Sequence, residues 1–493
     1  MSRPRRLRSG FVLGAAAISA TMLAAASCSL DLDESKIGEG AETGVPDTNV
    51  DETATGDSGD GGGPIVTPDA STCTKDEECV TTNGCLKGRC DQVRKACVFD
   101  VCRTMACNAG VCDTAAKTCG APKAYKFLAG QFSVGTQASR IVAVYPYLFA
   151  QTATGILAFD VSNPAATAPR QVPIVGLGFV PNQTVATGNR VYFSAPVTGP
   201  GPSRLPLAWI DVPSDPFATK LEVTSVLATY SRAEAPSLLG HTEDKLYLLG
   251  PPGANYPSAI VDAPLVEPLT ITATPLAITM STSPAALSGN RLVMIGFDTS
   301  NIPSFGLING AGTTMPMNTG DTKFADAGNM ASSGLFAWSP EGAVFWSVPT
   351  LTGPPSPPAA TAPNLRSVMA RFLLPDGNGG FDLSAGFDVE TYNIALGPNL
   401  IGPTAMIDAN TAIVLAADKT NVVAQTTVQF AKRMPLGLVK NMDNTTPRRQ
   451  TIALPIGAFT SATGSNGFGY VAANETGPPP NSTIYVFDPG CAP

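Results

Sequence analysis

Asp160, Asp211 and Asp262 stand 51 residues apart, and each ends an apolar run that a proline follows within a few residues. The first run is Gly155-Ile156-Leu157-Ala158-Phe159-Asp160-Val161-Ser162-Asn163-Pro164, and the second is Leu207-Ala208-Trp209-Ile210-Asp211-Val212-Pro213-Ser214-Asp215-Pro216. A shorter copy is Ala259-Ile260-Val261-Asp262-Ala263-Pro264. Upstream of each lies a second short apolar run, at 147–150, 190–193 and 245–248. A unit of this kind cannot bury its own apolar face and must stack against copies of itself. Four further pairs of runs continue the pattern: 291–294 with 305–308, 343–346 with 368–372, 412–415 with 427–430, and 468–471 with 484–488. Seven copies over residues 121–493 give about 53 residues each, close to the longer known blade repeats.

Glycine and proline number 48 and 44 of 493 residues, too many helix breakers for an all-helical chain. Ala-Thr-Gly-Asn before Arg190 and Leu-Ser-Gly-Asn before Arg291 supply turn residues that tolerate positive φ. The expected fold class is all-β: a seven-bladed β-propeller over 121–493, which protects its strand edges by closing a ring. An open array of β-sandwiches is the alternative. The Asp-Val-x-x-Pro ending, Asp160 to Pro164 and its relative at Asp211, resembles the strand-and-turn repeats of bacterial surface propellers with a Leu-Val-Ile-Val-Asp core. That resemblance covers two copies well and the others only through their strand pairs.

Residues 72–120 hold nine cysteines: Cys73, Cys79, Cys85, Cys90, Cys97, Cys102, Cys107, Cys112 and Cys119. The stretch repeats internally, since Cys85-Leu86-Lys87-Gly88-Arg89-Cys90-Asp91 ends in Cys97, and Cys107-Asn108-Ala109-Gly110-Val111-Cys112-Asp113 ends in Cys119, 22 residues on. Too few apolar residues lie between them to build a core, so cross-links must hold the module. Disulfides are expected in an exported chain; zinc held by Cys-x4-Cys pairs is the competing reading. The module resembles the short cysteine-rich modules of bacterial surface lipoproteins. Two four-cysteine sets, 73-79-85-90 and 97-102-107-112, would leave Cys119 to pair with Cys491 across the closure of the ring; a rival grouping leaves Cys73 instead.

Arg3, Arg5, Arg6 and Arg8 precede an apolar run that ends in Ala24-Ala25-Ala26-Ser27-Cys28. This is the layout of an export signal over 1–27. Its ending resembles the bacterial lipoprotein signal, which implies that Cys28 carries the acyl chains, although Ala25 stands where that signal prefers leucine. An ordinary cleaved signal with Cys28 as a structural thiol is the alternative. Residues 28–71 are acidic and Gly-rich and read as a disordered tether. The partner so implied is a membrane, reached through the lipid anchor, at the outer membrane or cell surface.

The formal charge of −8 argues against a nucleic-acid partner. His241 is the single histidine, which removes imidazole cages and leaves a serine nucleophile only one base, with no Gly-x-Ser-x-Gly elbow beside it. His241 reads as a polar turn residue. The run 376–382 begins like a calcium loop but has Phe381 where glycine is needed, so a hairpin turn is the better reading. Asp160, Asp211, Asp262 and Asp488 either cap the turns after their strands or form a ring of carboxylates around a channel. Trp209, Trp338 and Trp346 read as blade packing. Proline-rich insertions at 199–202, 353–363 and 477–480 read as long projecting loops. No cofactor and no metal are called for. The expectation is a membrane-anchored, non-catalytic surface lipoprotein whose propeller binds a protein or glycan ligand. The alternatives are a propeller enzyme of lyase or glycosidase type, or an outer-membrane assembly scaffold.

Overall fold

In the computed structural model, residues 72–491 are described apart from internal stretches, of which 319–334, 352–365 and 383–401 are the longest; side-chain surroundings are described chiefly over 72–230 and 402–491. The signal run, Cys28 and the tether lie outside the described residues.

The recurrence in the sequence is a pair of antiparallel strands in constant register. Tyr147 faces Asp160, Arg190 faces Asp211 and Lys245 faces Asp262, each at the same end of its pair. The four further pairs of runs are also antiparallel neighbours. A strand on either side completes each unit, and the described residues from 128 onward form seven sheets of four or five strands and one parallel two-stranded pair, Ile174–Val175 with Leu221–Glu222.

The sheets are arranged in a ring. Their innermost strands are Ala138–Val144, Gln183–Thr187, Ser237–His241, Ala286–Ser288, Leu335–Trp338, Ala405–Asp408 and Phe459–Ser465. Each contacts the next, and the last contacts the first. In the closing sheet Leu128–Ser133 pairs with Asn481–Phe487, beside Phe468–Glu475 and Phe459–Ser465. One strand from the start of the domain thus completes a sheet whose other three come from its end. This is a β-propeller, preceded by a disulfide-rich module. No α-helix occurs among the described residues, and no helix there is long and apolar enough to cross a membrane.

Packing explains why the central strands lack polar alternation. Tyr147 and Phe149 pack with Val191, Phe193 and Ile210 of the following sheet. Leu148 and Ala150 pack with Phe132, Tyr470 and Ile484 of the closing sheet. Successive side chains point to opposite faces, so a strand sandwiched between two sheets must be apolar at every position. Burying each large side chain stabilises the ring by about 2–3 kcal/mol.

The ring seam has its own chemistry. Ala138–Val144 pairs as a strand only with Tyr147–Thr152, so the N–H groups of its other edge need partners outside a ladder. Here Ser461 Oγ, Thr463 Oγ1 and Ser465 Oγ accept hydrogen bonds from the backbone N–H of Ile141, Ala143 and Tyr145 at 3.1, 3.1 and 2.9 Å. Alternate hydroxyls on one strand therefore satisfy alternate amides on the other.

In the cysteine module, hairpin Leu86–Asp91/Ala96–Val101 sets Cys90 opposite Cys97, and the shorter hairpin Cys112–Asp113/Thr118–Cys119 sets Cys112 opposite Cys119. The bridges are Cys73–Cys90, Cys79–Cys97, Cys85–Cys112 and Cys102–Cys119. This corrects both the two four-cysteine sets and the Cys119–Cys491 pairing. The cause is the hairpin geometry: opposed cysteines each reach back to a different upstream residue, so bridges cross from one set to the other. The rival Cys73–Cys491 pairing is excluded by the bond from Cys73 to Cys90.

Candidate functional site

The cysteine module is docked on the ring at the turn that joins the first two strands of the closing sheet. That turn is Asn466-Gly467, with φ of +53° and +79°, the conformation in which Asn-Gly makes a tight hairpin. Asn466 Nδ2 donates to Asp100 Oδ1 at 3.0 Å, and Arg89 Nε donates to Asp100 Oδ2 at 3.1 Å. Tyr145, beside the equivalent turn of the first sheet, is buried; burial and the nearby Asp100 charge push its phenol well above the usual range.

A second anchor uses the last of the repeated aspartates. Asp488 is 1% exposed, accepts from Gly490 N at 2.8 Å and meets Arg103 Nη2 at 3.3 Å. The Arg103 guanidinium also lies 4.7 Å from the centre of the Phe468 ring. A buried carboxylate held by an arginine of the module makes the docking specific as well as apolar. A third contact packs Phe217 against the cluster of Cys85, Val101 and Cys102.

The other repeated aspartates serve their own sheets. Asp160 Oδ1 accepts from the N–H and the hydroxyl of Ser162 at 3.0 and 2.6 Å, and Asp160 Oδ2 meets Arg170 at 3.2 Å. Asp211 pairs with Arg190, which faces it in register. Asp160 is thus a turn cap, and these carboxylates end third strands rather than standing on the inner strands. Asp262 occupies the equivalent strand end, opposite Lys245.

His241 ends an inner strand opposite Leu246, which corrects its reading as a turn residue. Trp209 is 8% exposed and packs 5.9 Å from Tyr192. Most of the 376–382 run lies outside the described residues, as do the side chains of Trp338 and Trp346. The two cysteine triads that could hold a metal, Cys73-Cys79-Cys97 and Cys85-Cys102-Cys119, consist of sulfurs already joined in disulfides. The bonds leave no thiolate in either triad for zinc.

The proline-rich insertions share one topological place. Residues 477–480 are exposed and join Phe468–Glu475 to Asn481–Phe487. The stretch 199–202 lies between Arg190–Ser194 and Ser203–Asp211, and 353–363 between Val344–Leu351 and Arg366–Pro375; both lie outside the described residues. Each therefore connects the second strand of a sheet to its third. The module binds at the first-to-second turns, which lie at the opposite end of the second strand. Sequence reasoning missed this division, along with Arg103, Asp100 and Asn466; Asn466-Gly467 between two apolar runs was the available signal. It also missed Arg140, on an inner strand, which keeps solvent access but is enclosed enough for desolvation to lower its pKa.

No known protein-family model matches the chain, and no curated protein matches it either. Among solved structures it is similar to hydrazine synthase of Kuenenia stuttgartiensis, at 13% identity and TM-score 0.40, over 68% of this chain and 92% of that one. It is also similar to the β-propeller domain of the Trilobed protease of Pyrococcus furiosus (7% identity, TM-score 0.36, 62% and 82% covered). A third is the Nup133 β-propeller domain of Vanderwaltozyma polyspora (10% identity, TM-score 0.37, 70% and 93% covered). Likeness at this level says nothing about activity, and the propeller stands on the strand order and closed inner ring described above.

Proposed function

We propose that the chain is an exported, lipid-anchored binding protein without catalytic activity, whose ring displays one face to a protein or glycan ligand and is fastened through the other. The observation that carries this reading is the division of the two faces. The cysteine module, which follows the tether in the chain, is docked at the first-to-second turns. The three proline-rich insertions fall, in the sequence, between second and third strands, and the one described, 477–480, is exposed at the far end. Loops on a rigid scaffold are where binding residues concentrate. The described aspartates Asp160, Asp211 and Asp488 are engaged in turns and ion pairs, which supports a structural rather than a catalytic role for them. Attachment through acylated Cys28, placement at the outer membrane or cell surface, and kinship with Leu-Val-Ile-Val-Asp repeat proteins belong to the same proposal.

The test uses the full chain and a variant in which 353–363 and 477–480 are replaced by short Gly-Ser turns. Both are applied to an array of surface glycans and to extracellular-matrix proteins. Binding by the native chain that drops at least tenfold in the variant, with an unchanged melting temperature, is expected. Retained binding would move the site elsewhere, and cleavage of an arrayed polysaccharide would replace the reading with the enzymatic one.

A further inference from the structure

The four bridges leave two described cysteines outside them, and these two are neighbours. Cys107 Sγ lies 3.0 Å from the carbonyl oxygen of Gly490, and the Cys491 thiol is within hydrogen-bonding reach of the Cys107 sulfur. Cys491 belongs to the apolar cluster of the closing sheet, and Cys107 packs against that cluster. The backbone on both sides is pinned. Tyr125 N donates to Cys107 O at 3.1 Å, and Cys491 N donates to Asp488 O at 3.1 Å.

The internal repeat of the module gives independent support. Cys107 stands where Cys85 stands in the first copy, 22 residues earlier. Cys85 is bonded to Cys112, the first hairpin cysteine of the following copy. Cys107 has no following copy, because the chain there turns into the ring. The array would end on an unmatched half-cystine unless another part of the molecule supplied its partner. At the other end the same gap exists: Cys90 has no preceding copy, and Cys73 fills the place.

We infer that Cys107 and Cys491 form a fifth disulfide, in which the C-terminal turn of the propeller replaces the missing third copy of the cysteine repeat. The bond forms by thiol–disulfide exchange with a disulfide-carrying oxidoreductase of the export compartment. The partly exposed Cys107 attacks as thiolate and displaces one sulfur of the donor, giving a mixed disulfide. Cys491, as it loses its proton, then attacks Cys107 and releases the donor as a dithiol. Two thiols are oxidised, one donor disulfide is reduced, and the two protons the protein thiols lose are balanced by the two the donor sulfurs take up. Burial raises the pKa of the Cys491 thiol, which suits it to the second, intramolecular attack rather than the first. The loop closed is about 380 residues long, far longer than any within the module.

The experiment is a tryptic map of the exported full chain, alkylated under denaturing conditions without reduction. Residues 450–493 contain no lysine or arginine, so Cys491 lies in a single peptide. That peptide is expected to be absent in free form and to migrate, until reductant is added, within the cluster of peptides that Cys79–Cys97, Cys85–Cys112 and Cys102–Cys119 already join to residues 104–117. In Cys107→Ser it is expected to appear alone with one alkylated thiol. Release of the 450–493 peptide, singly alkylated, from the unreduced native chain would overturn the inference. So would its continued attachment to that cluster in Cys107→Ser, or its attachment to the separate pair of peptides joined by Cys73–Cys90.

Discussion

Within the cysteine module one buried cluster consists of Cys73, Cys79, Cys90 and Cys97 packed around Phe99, whereas in the closing sheet every residue from 468 to 473 is buried. The module spends its length on half-cystines and two short hairpins. The ring spends it on strands that are apolar on both faces. A stretch of some 50 residues has too much surface for its volume to rely on burial, and covalent bonds reduce the freedom of its unfolded chain instead. The ring has whole sheets to stack against one another, and no disulfide lies within the described ones. The two regions should therefore fail under different insults.

Reduction should separate them most sharply. The four bridges close loops of 17 to 27 residues, each worth about 3 kcal/mol in the chain-entropy account. Hydrogen exchange with dithiothreitol present should find the amides of Leu86–Asp91 and Ala96–Val101 unprotected. Those of Tyr147–Thr152 should keep their protection. Equal loss in both regions would mean that the ring depends on the module.

The converse insult is a core truncation. Phe430 is fully buried and meets Phe127 edge-on at 5.0 Å, where the seam joins the last two sheets. Phe430→Ala should cost about 3–5 kcal/mol, seen as a lower urea midpoint, and leave the disulfide map of 72–120 intact. A smaller effect is expected at the junction. Arg103→Ala leaves Asp488 buried without its partner, for a loss of about 3 kcal/mol in thermal melts. Adding Asp488→Asn to that variant should recover part of the loss. If the two changes simply add, the ion pair is not what joins the regions.

The ring was readable in the sequence because its repeat is a register: the 51-residue interval returns Asp160, Asp211 and Asp262 to the same end of the same strand pair. The disulfide connectivity was not. Spacing along the chain carries no information about which face of a hairpin a cysteine occupies, and Cys90 and Cys97 sit opposite each other yet bond elsewhere. The docking residues were hidden for a related reason. Arg103 and Asp488 are 385 residues apart, and nothing local marks either as the partner of the other. The role of Asp160 was legible, because Ser162 and Pro164 follow it directly.

The closing sheet has a consequence for how the chain comes to be folded. Leu128–Ser133 leaves the ribosome, and on the export reading crosses the membrane, some 350 residues before Asn481–Phe487 can reach it. Contacts so distant in sequence form slowly, and until they form this segment is an unpaired edge open to the wrong neighbour. Exposed Gln131 and Ser133 flank buried Phe132, which leaves one side of the last part of the waiting strand polar. A chain interrupted just short of residue 481 would hold several finished sheets and still lack the strand that makes them a circle.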